Sequence, residues 1–74
     1  LKSNHVQAYH NMGNALKDKG KFDEAIKAYN NALLLKPDNP EIYNNLGITF
    51  HKMGNLEEAE ANLKQTILLD PEFA

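Results

Sequence analysis

The sequence contains no cysteine, no tryptophan and no arginine. Without cysteine the chain can form neither disulfides nor thiolate zinc sites. Arginine is the residue that most often holds phosphate or guanine in a bidentate way, and no stripe of lysines replaces it here. No apolar run approaches the roughly 20 residues that a membrane-spanning helix requires. We therefore expect neither nucleic-acid binding nor membrane insertion.

The ten acidic and eight basic residues are unevenly distributed along the chain. Residues 6–39 contain five lysines and four acids, a net charge of +1, whereas residues 40–73 contain two lysines and six acids, a net charge of −4. With Lys2 the total is −2. Salt screens exposed charges, so this split would favour head-to-tail association of chains without adding much to its strength.

The dominant feature of the sequence is self-similarity at a period of 34 residues. Such a period is typical of arrays built from one repeated structural unit. The same shift places Leu1-Lys2 on Leu35-Lys36, so we expect residues 1–5 to be the tail of a preceding repeat. Laid without a gap on residues 40–73, residues 6–39 give nine identical pairs: Tyr9/Tyr43, Asn11/Asn45, Gly13/Gly47, Gly20/Gly54, Glu24/Glu58, Ala25/Ala59, Leu34/Leu68, Leu35/Leu69 and Pro37/Pro71.

Each repeat contains two helical patterns joined by a glycine turn. Gly20 and Gly54 can adopt the left-handed conformation that ends a helix, and the prolines at 37 and 71 end the second helix of each repeat. Asn39 is expected to cap the third helix, with Pro40 in its first turn. Apolar side chains at three- and four-residue spacing are expected to form the core: Ala8, Tyr9, Met12, Ala15, Leu16, Ala25, Ile26, Tyr29, Ala32, Leu33, Ile42, Tyr43, Leu46, Phe50, Met53, Ala59, Leu63 and Ile67.

Close helix pairing is expected where Gly13 faces Ala25 and Gly47 faces Ala59. Together with the apolar spacing and the prolines, these residues form a pattern that resembles the tetratricopeptide repeat, once in residues 6–39 and again in residues 40–73. The resemblance implies an all-α fold of two antiparallel helix-turn-helix repeats, stacked as a short right-handed α-solenoid. Thr66 and Glu60 depart from the pattern, and we expect them to loosen the last helix or adapt it to a neighbour.

In this family the first helix of each pair lines a concave groove that binds a peptide or a partner protein. The resemblance therefore implies a protein–protein interaction module. The predicted peptide-binding residues are those that the apolar stripes leave on the opposite helix face: Gln7, His10, Asn11, Asn14, Lys17, Asp18, Glu41, Asn44, Asn45, Ile48, His51 and Lys52.

Two ligand-binding patterns of the family remain open for the asparagines. Asn11 and Asn45 are similar to the asparagine ladder of O-linked N-acetylglucosamine transferase, which holds the backbone of an extended peptide. Asn14 and Asn45 instead match two members of the carboxylate clamp of heat-shock co-chaperones. That clamp needs a lysine where this chain has His10, and its remaining basic residues belong to a third repeat.

The sequence contains no arrangement that indicates catalysis, a metal or a cofactor. None of the three histidines pairs with another histidine or a glutamate at the spacing of a metalloprotease helix. The glycines are spread along the repeats and form no phosphate-binding loop. We therefore expect a chain that is not an enzyme, with no catalytic residues, metal ligands or cofactor.

Self-association is the competing function. A single repeat cannot bury its own apolar face, and arrays of this kind normally need about three or more repeats to be stable. Leu63, Ile67 and Leu69 are expected to stay partly uncovered in the last helix. We expect homo-oligomers that form by end-to-end stacking or by helix exchange through this patch.

Overall fold

The computed structural model describes the backbone of residues 2–73 and the side chains of residues 5–73. This part of the chain contains no strand and four helices: α1 (Lys2–Asp18), α2 (Phe22–Leu35), α3 (Pro40–Lys52) and α4 (Leu56–Leu69). α1 packs on α2 and α3 packs on α4, so the chain divides into two compact units between Pro37 and Asp38. The predicted all-α fold is confirmed.

The helix α1 begins ahead of the predicted first repeat. It starts at Lys2, whereas the repeat was expected to start at Val6. Four of the five residues predicted to be the tail of an earlier repeat therefore lie in the first turn of α1, and Leu1 lies outside the described residues. The origin of this tail stays a prediction.

Glycine ends the first helix of each unit in the same way. Gly20 has φ +81° and Gly54 has φ +83°, a left-handed conformation that costs glycine little because it has no Cβ. The next residue then donates its backbone N–H back into the helix, from Lys21 to the Leu16 carbonyl and from Asn55 to the Phe50 carbonyl, at 2.9 Å in both cases. These bonds satisfy carbonyls that the helix end would leave unpaired.

Asparagine side chains cap two of the helices. Asn39 Oδ1 accepts the backbone N–H of Glu41 at 3.1 Å, ahead of Pro40 in the first position of α3, as predicted. Asn55 Oδ1 accepts the backbone N–H of Glu58 at 3.4 Å at the start of α4. Glutamates in the first turns of both helices add a favourable interaction with the helix dipole.

In each hairpin a glycine of the first helix lies against a large side chain of the second. A Cβ on Gly13 would lie 2.6 Å from Cε1 of the Tyr29 ring, and a Cβ on Gly47 would lie 2.7 Å from Cδ2 of Leu63. The sequence had predicted small residues, Ala25 and Ala59, opposite these glycines. At Gly13 the three nearest atoms all belong to Tyr29, so the pairing with Ala25 stays a prediction. At Gly47 it holds in part, because the carbonyl oxygen of Ala59 would lie 3.3 Å away.

The core is smaller than the apolar pattern predicted. Ala8, Met12 and Ala15 are exposed, because they lie on a stripe of α1 turned away from the face that Gly13 presents to α2. The side chains of Met53, Leu63 and Ile67 are also partly open to solvent, at 41%, 39% and 50% exposure. The buried apolar residues are Ala25, Ala28, Tyr29, Ala32, Ile42, Leu46 and Ala59.

Thr66 and Glu60, the two residues that depart from the repeat pattern, lie in different environments. Thr66 is buried, and its hydroxyl donates to the carbonyl of Asn62 at 3.0 Å and to that of Pro40 at 3.4 Å. The second bond joins the end of α4 to the start of α3, as an antiparallel hairpin requires. Glu60 is exposed, and Oε2 lies 3.7 Å from Nζ of Lys64 one turn later. Such a surface pair contributes little to stability.

The close contact at Gly13 can be tested by adding a single methyl group. We expect Gly13→Ala to lower the free energy of unfolding by about 1–3 kcal/mol, because the Tyr29 ring must move to admit the Cβ. Urea unfolding followed by circular dichroism measures this change. As a control, Ala15→Gly at an exposed site of the same helix should cost about 1 kcal/mol through helix propensity alone. Increased stability of Gly13→Ala would show that Tyr29 does not limit the site.

Candidate functional site

A polar face runs along α1 on the side away from its contacts with α2. Gln7, Asn11, Asn14 and Asp18 recur at three- and four-residue spacing and therefore share this face. Gln7, Asn11 and Asp18 are exposed, and Asn14 is half-buried at the edge nearer α2. Gln7 Nε2 donates to Asn11 Oδ1 at 3.0 Å, so these two side chains hold each other along the helix. The bond leaves the two N–H donors of Asn11 for another acceptor.

Two predicted binding residues of α1, Asn14 and His10, contact Tyr29, which is fully buried on α2. The hydroxyl of Tyr29 donates to Asn14 Oδ1. The imidazole of His10 is buried, and its ring centroid lies 6.1 Å from that of Tyr29 with an edge-to-face angle of 63°. His10 is thus a packing residue of the first hairpin, and Asn14 joins the polar face to its core. Lys17 is half-buried.

The corresponding face of α3 is less polar. Glu41 and Lys52 are exposed, whereas Asn44, Asn45 and Ile48 are half-buried. The backbone carbonyl of Asn45 accepts the hydroxyl of the buried Thr49 at 2.7 Å, which satisfies Thr49 within the helix. The face therefore has a carboxylate at one end, Glu41, and an ammonium group at the other, Lys52. Two side-chain amides and one apolar side chain lie between them.

The second hairpin has an apolar hollow of about 370 Å³, lined by α4 and by one residue of α3. His51, predicted on the peptide-binding face, lies at the rim of this hollow. Leu63 and Ile67, two of the three residues predicted to mediate self-association, line it, whereas Leu69 does not. The full lining is His51, Leu56, Ala59, Glu60, Leu63, Lys64 and Ile67.

Sequence reasoning missed two features of these surfaces. Leu56 is 61% exposed and belongs to the hollow, but it was not among the residues predicted for the core or for a binding surface. The bond between Tyr29 and Asn14 was also missed. The sequence does contain a signal for it, since Asn14 follows Gly13 directly and a tyrosine opposite that glycine needs a partner for its hydroxyl.

The described residues show no arrangement for metal or membrane binding. Between His5 and Phe73 no three histidine, aspartate or glutamate side chains form a cluster that could hold a metal ion. In the part of the chain that the structure describes, no helix is long and apolar enough to cross a bilayer.

Comparison with known proteins identifies the family. A family model described as TPR repeat matches residues 13–54, and a second, described as tetratricopeptide repeat, matches residues 40–73. Because the first covers more than half of the 74 residues, the chain belongs to the tetratricopeptide repeat family. No curated protein matches the sequence.

The fold is also similar to that of a solved structure. The first TPR of Spaghetti (RPAP3), bound to the HSP90 peptide SRMEEVD, matches with a TM-score of 0.91 and 24% sequence identity. The match covers 96% of this chain and 56% of that one, so the chain spans just over half the length of the structure it resembles. At this identity the likeness establishes the all-α tetratricopeptide fold and leaves the ligand open.

The link between Asn14 and Tyr29 can be tested with a double-mutant cycle. We expect Asn14→Ala and Tyr29→Phe to be coupled by about 1 kcal/mol in the free energy of unfolding, because each removes the same hydrogen bond. Urea unfolding of both single variants and the double variant measures the coupling. Asn11→Ala combined with Tyr29→Phe is the matched control and should be additive. Additivity at Asn14 as well would show that the bond does not form in solution.

Proposed function

We propose that this chain is a protein-interaction module, not an enzyme, and that the polar faces of α1 and α3 each contact an extended polypeptide. The observation that carries the proposal is the amide-rich face of α1, where Gln7 and Asn11 are exposed and hold each other through one hydrogen bond. A side-chain amide can donate to a peptide carbonyl and accept from a peptide N–H at the same time. It therefore binds peptide backbone without requiring one particular side chain.

The charges on the two faces support this choice. Asp18 and Glu41 are balanced by Lys17 and Lys52, so neither face carries a strong charge of one sign. Electrostatic steering selects strongly acidic or basic partners, and balanced faces provide little of it. A ligand recognised through its backbone fits these surfaces better than one recognised through its charge.

Two observations favour backbone binding over the carboxylate clamp. The clamp requires a lysine at the position of His10, and His10 is buried against the Tyr29 ring. Asn14, the first clamp asparagine, accepts the hydroxyl of Tyr29. The similar TPR structure binds the peptide SRMEEVD, which supports a peptide ligand for this fold. We propose that here the ligand is held through Asn11 and Asn45.

Removing the two amides tests this proposal. A fluorescent peptide selected from a displayed library of random heptapeptides serves as the probe. We expect Asn11→Ala with Asn45→Ala to weaken its binding roughly tenfold or more, because two hydrogen bonds of about 1 kcal/mol each are lost. Fluorescence anisotropy gives the affinity, and circular dichroism confirms that the helices remain.

Asn30→Ala is the matched control, since Asn30 is an exposed asparagine of α2 and belongs to neither polar face. It should leave the affinity unchanged. A folded double variant that binds as tightly as the parent chain would contradict the assignment. So would a library from which no peptide can be selected.

A second candidate function, self-association, is favoured by the apolar hollow on the second hairpin. Leu56, Leu63 and Ile67 leave an apolar surface in contact with solvent there. Covering such a surface with another chain is favourable because it removes apolar area from water. We propose that copies of this chain associate through α4, with Leu69 at the edge of the contact.

Substitution of Ile67 tests this second candidate. We expect the parent chain to show an average mass that rises with concentration in sedimentation equilibrium. Ile67→Glu should shift this rise to concentrations more than about tenfold higher, because a buried carboxylate without a partner is strongly unfavourable. A parent chain that remains monomeric at millimolar concentration would exclude self-association. It would leave the peptide-binding proposal untouched.

A further inference from the structure

Two side-chain amides on the polar face of α1 differ in what holds their oxygen atoms. Asn11 Oδ1 accepts Nε2 of Gln7 at 3.0 Å, and Asn14 Oδ1 accepts the hydroxyl of Tyr29. Gln7 and Asn11 are both exposed, and each amide can donate as well as accept. These two amides can therefore turn over together and form the reversed hydrogen bond. Asn11 can thus adapt to a donor or to an acceptor on a ligand.

Asn14 lacks this freedom because its partner is a buried hydroxyl. Tyr29 is fully buried, so its O–H cannot bond to water and needs an acceptor within the protein. If the amide of Asn14 turned over, its N–H₂ group would take the place of the oxygen that accepts this proton. Asn14 is therefore held with its oxygen toward Tyr29 and its two N–H donors on the opposite edge of the amide.

The Tyr29 ring is itself held in place by two residues of α1. A Cβ on Gly13 would lie 2.6 Å from Cε1 of the ring, and the imidazole of His10 packs edge-to-face with the ring centroids 6.1 Å apart. Both neighbours belong to the same helix as Asn14, so the hydroxyl keeps its place relative to the amide. Packing inside the first hairpin thus determines how an amide on its surface is oriented.

The second hairpin shows that packing against the glycine does not require a hydroxyl. There Leu63 lies against Gly47, and the residue that follows the glycine is Ile48. Apolar side chains thus fill the two positions that Tyr29 and Asn14 occupy in the first hairpin. What the tyrosine adds is a fixed orientation of the amide beside it.

We propose that Tyr29 is a positioning residue for ligand binding, which makes Asn14 a hydrogen-bond donor to an acceptor oxygen of the bound peptide. The inference rests on the proposed peptide-binding function and specifies the chemistry of one of its contacts. Asn14 is half-buried, so part of the residue remains accessible to a ligand. Backbone carbonyls and side-chain carboxylates both supply such an oxygen. At this position the first hairpin selects an acceptor and rejects a donor, whereas Asn11 tolerates either.

Asn14→Asp separates this role from a purely structural one. A carboxylate still accepts the hydroxyl of Tyr29 but has no N–H to donate. We expect this variant to keep its helicity and its resistance to urea, and to bind the library-selected fluorescent heptapeptide about tenfold more weakly. Asn30→Asp adds the same charge at an exposed asparagine of α2 and should bind like the parent chain. Circular dichroism and fluorescence anisotropy measure the two properties separately.

Tyr29→Phe tests the orientation itself, because it keeps the ring and lets the Asn14 amide turn over. Each peptide bond of the probe is replaced in turn by an ester, which weakens the carbonyl acceptor and removes the N–H. An N-methyl amide at the same bond removes only the N–H and is the reference. We expect one ester to bind the parent chain about threefold more weakly than its N-methyl counterpart. This difference should disappear in Tyr29→Phe and persist in Tyr9→Phe, which changes a half-buried tyrosine of α1.

The outcomes distinguish the inference from the proposed function. If alanine in place of an acidic residue of the probe gives the Tyr29-dependent loss and no ester does, the donor role stands and the acceptor is a carboxylate. If Asn14→Asp and Tyr29→Phe both bind like the parent chain while Asn11→Ala with Asn45→Ala does not, the inference is overturned and peptide binding stands. A library that yields no peptide would overturn both.

Discussion

The pairing of helices within each hairpin depends on a glycine that lets one large side chain lie against the opposite helix backbone. The Tyr29 ring occupies the space where a Cβ of Gly13 would be, and Leu63 does the same at Gly47. Apolar contact at that distance brings α1 close enough to α2 for Tyr29 to be fully buried. The orientation of each helix about its axis then determines which of its other faces remain in solvent. Both candidate binding surfaces follow from that orientation.

The architecture was predictable because its signals are local and recur. Gly20 and Gly54 take the left-handed conformation expected of them, Asn39 caps α3, and the 34-residue period corresponds to two similar hairpins. Each of these features depends on the chemistry of one residue and its immediate neighbours. Family models and a solved structure agree with the assignment.

The core was harder to predict, for a physical reason. Apolar periodicity shows that a residue is suited to burial, but it does not show which neighbour would bury it. Met12 has the spacing of a core residue and is half exposed, because the partner helix in its own hairpin lies against another face of α1. Thr66 was expected to loosen its helix or to adapt it to a neighbour, and it is buried with two carbonyl acceptors. A hydroxyl of this kind can be judged only once its acceptors are located in space.

The side chain that packs against Gly13 differs from the one that packs against Gly47, and the residue that directly follows each glycine differs as well. Tyr29 in the first hairpin corresponds to Leu63 in the second, and Asn14, which accepts the tyrosine hydroxyl, corresponds to Ile48. A polar pair in one repeat is thus matched by an apolar pair in the other. If Leu63 alone were replaced by tyrosine, the residue corresponding to the hydroxyl's acceptor would be Ile48. The isoleucine side chain cannot accept a hydrogen bond. Because Asn14 and Ile48 also belong to the predicted ligand-facing side, the interior of each hairpin limits which chemical groups its outer surface can offer. A change of Asn14 or Ile48 made to alter ligand specificity would therefore need a matching change at position 29 or 63.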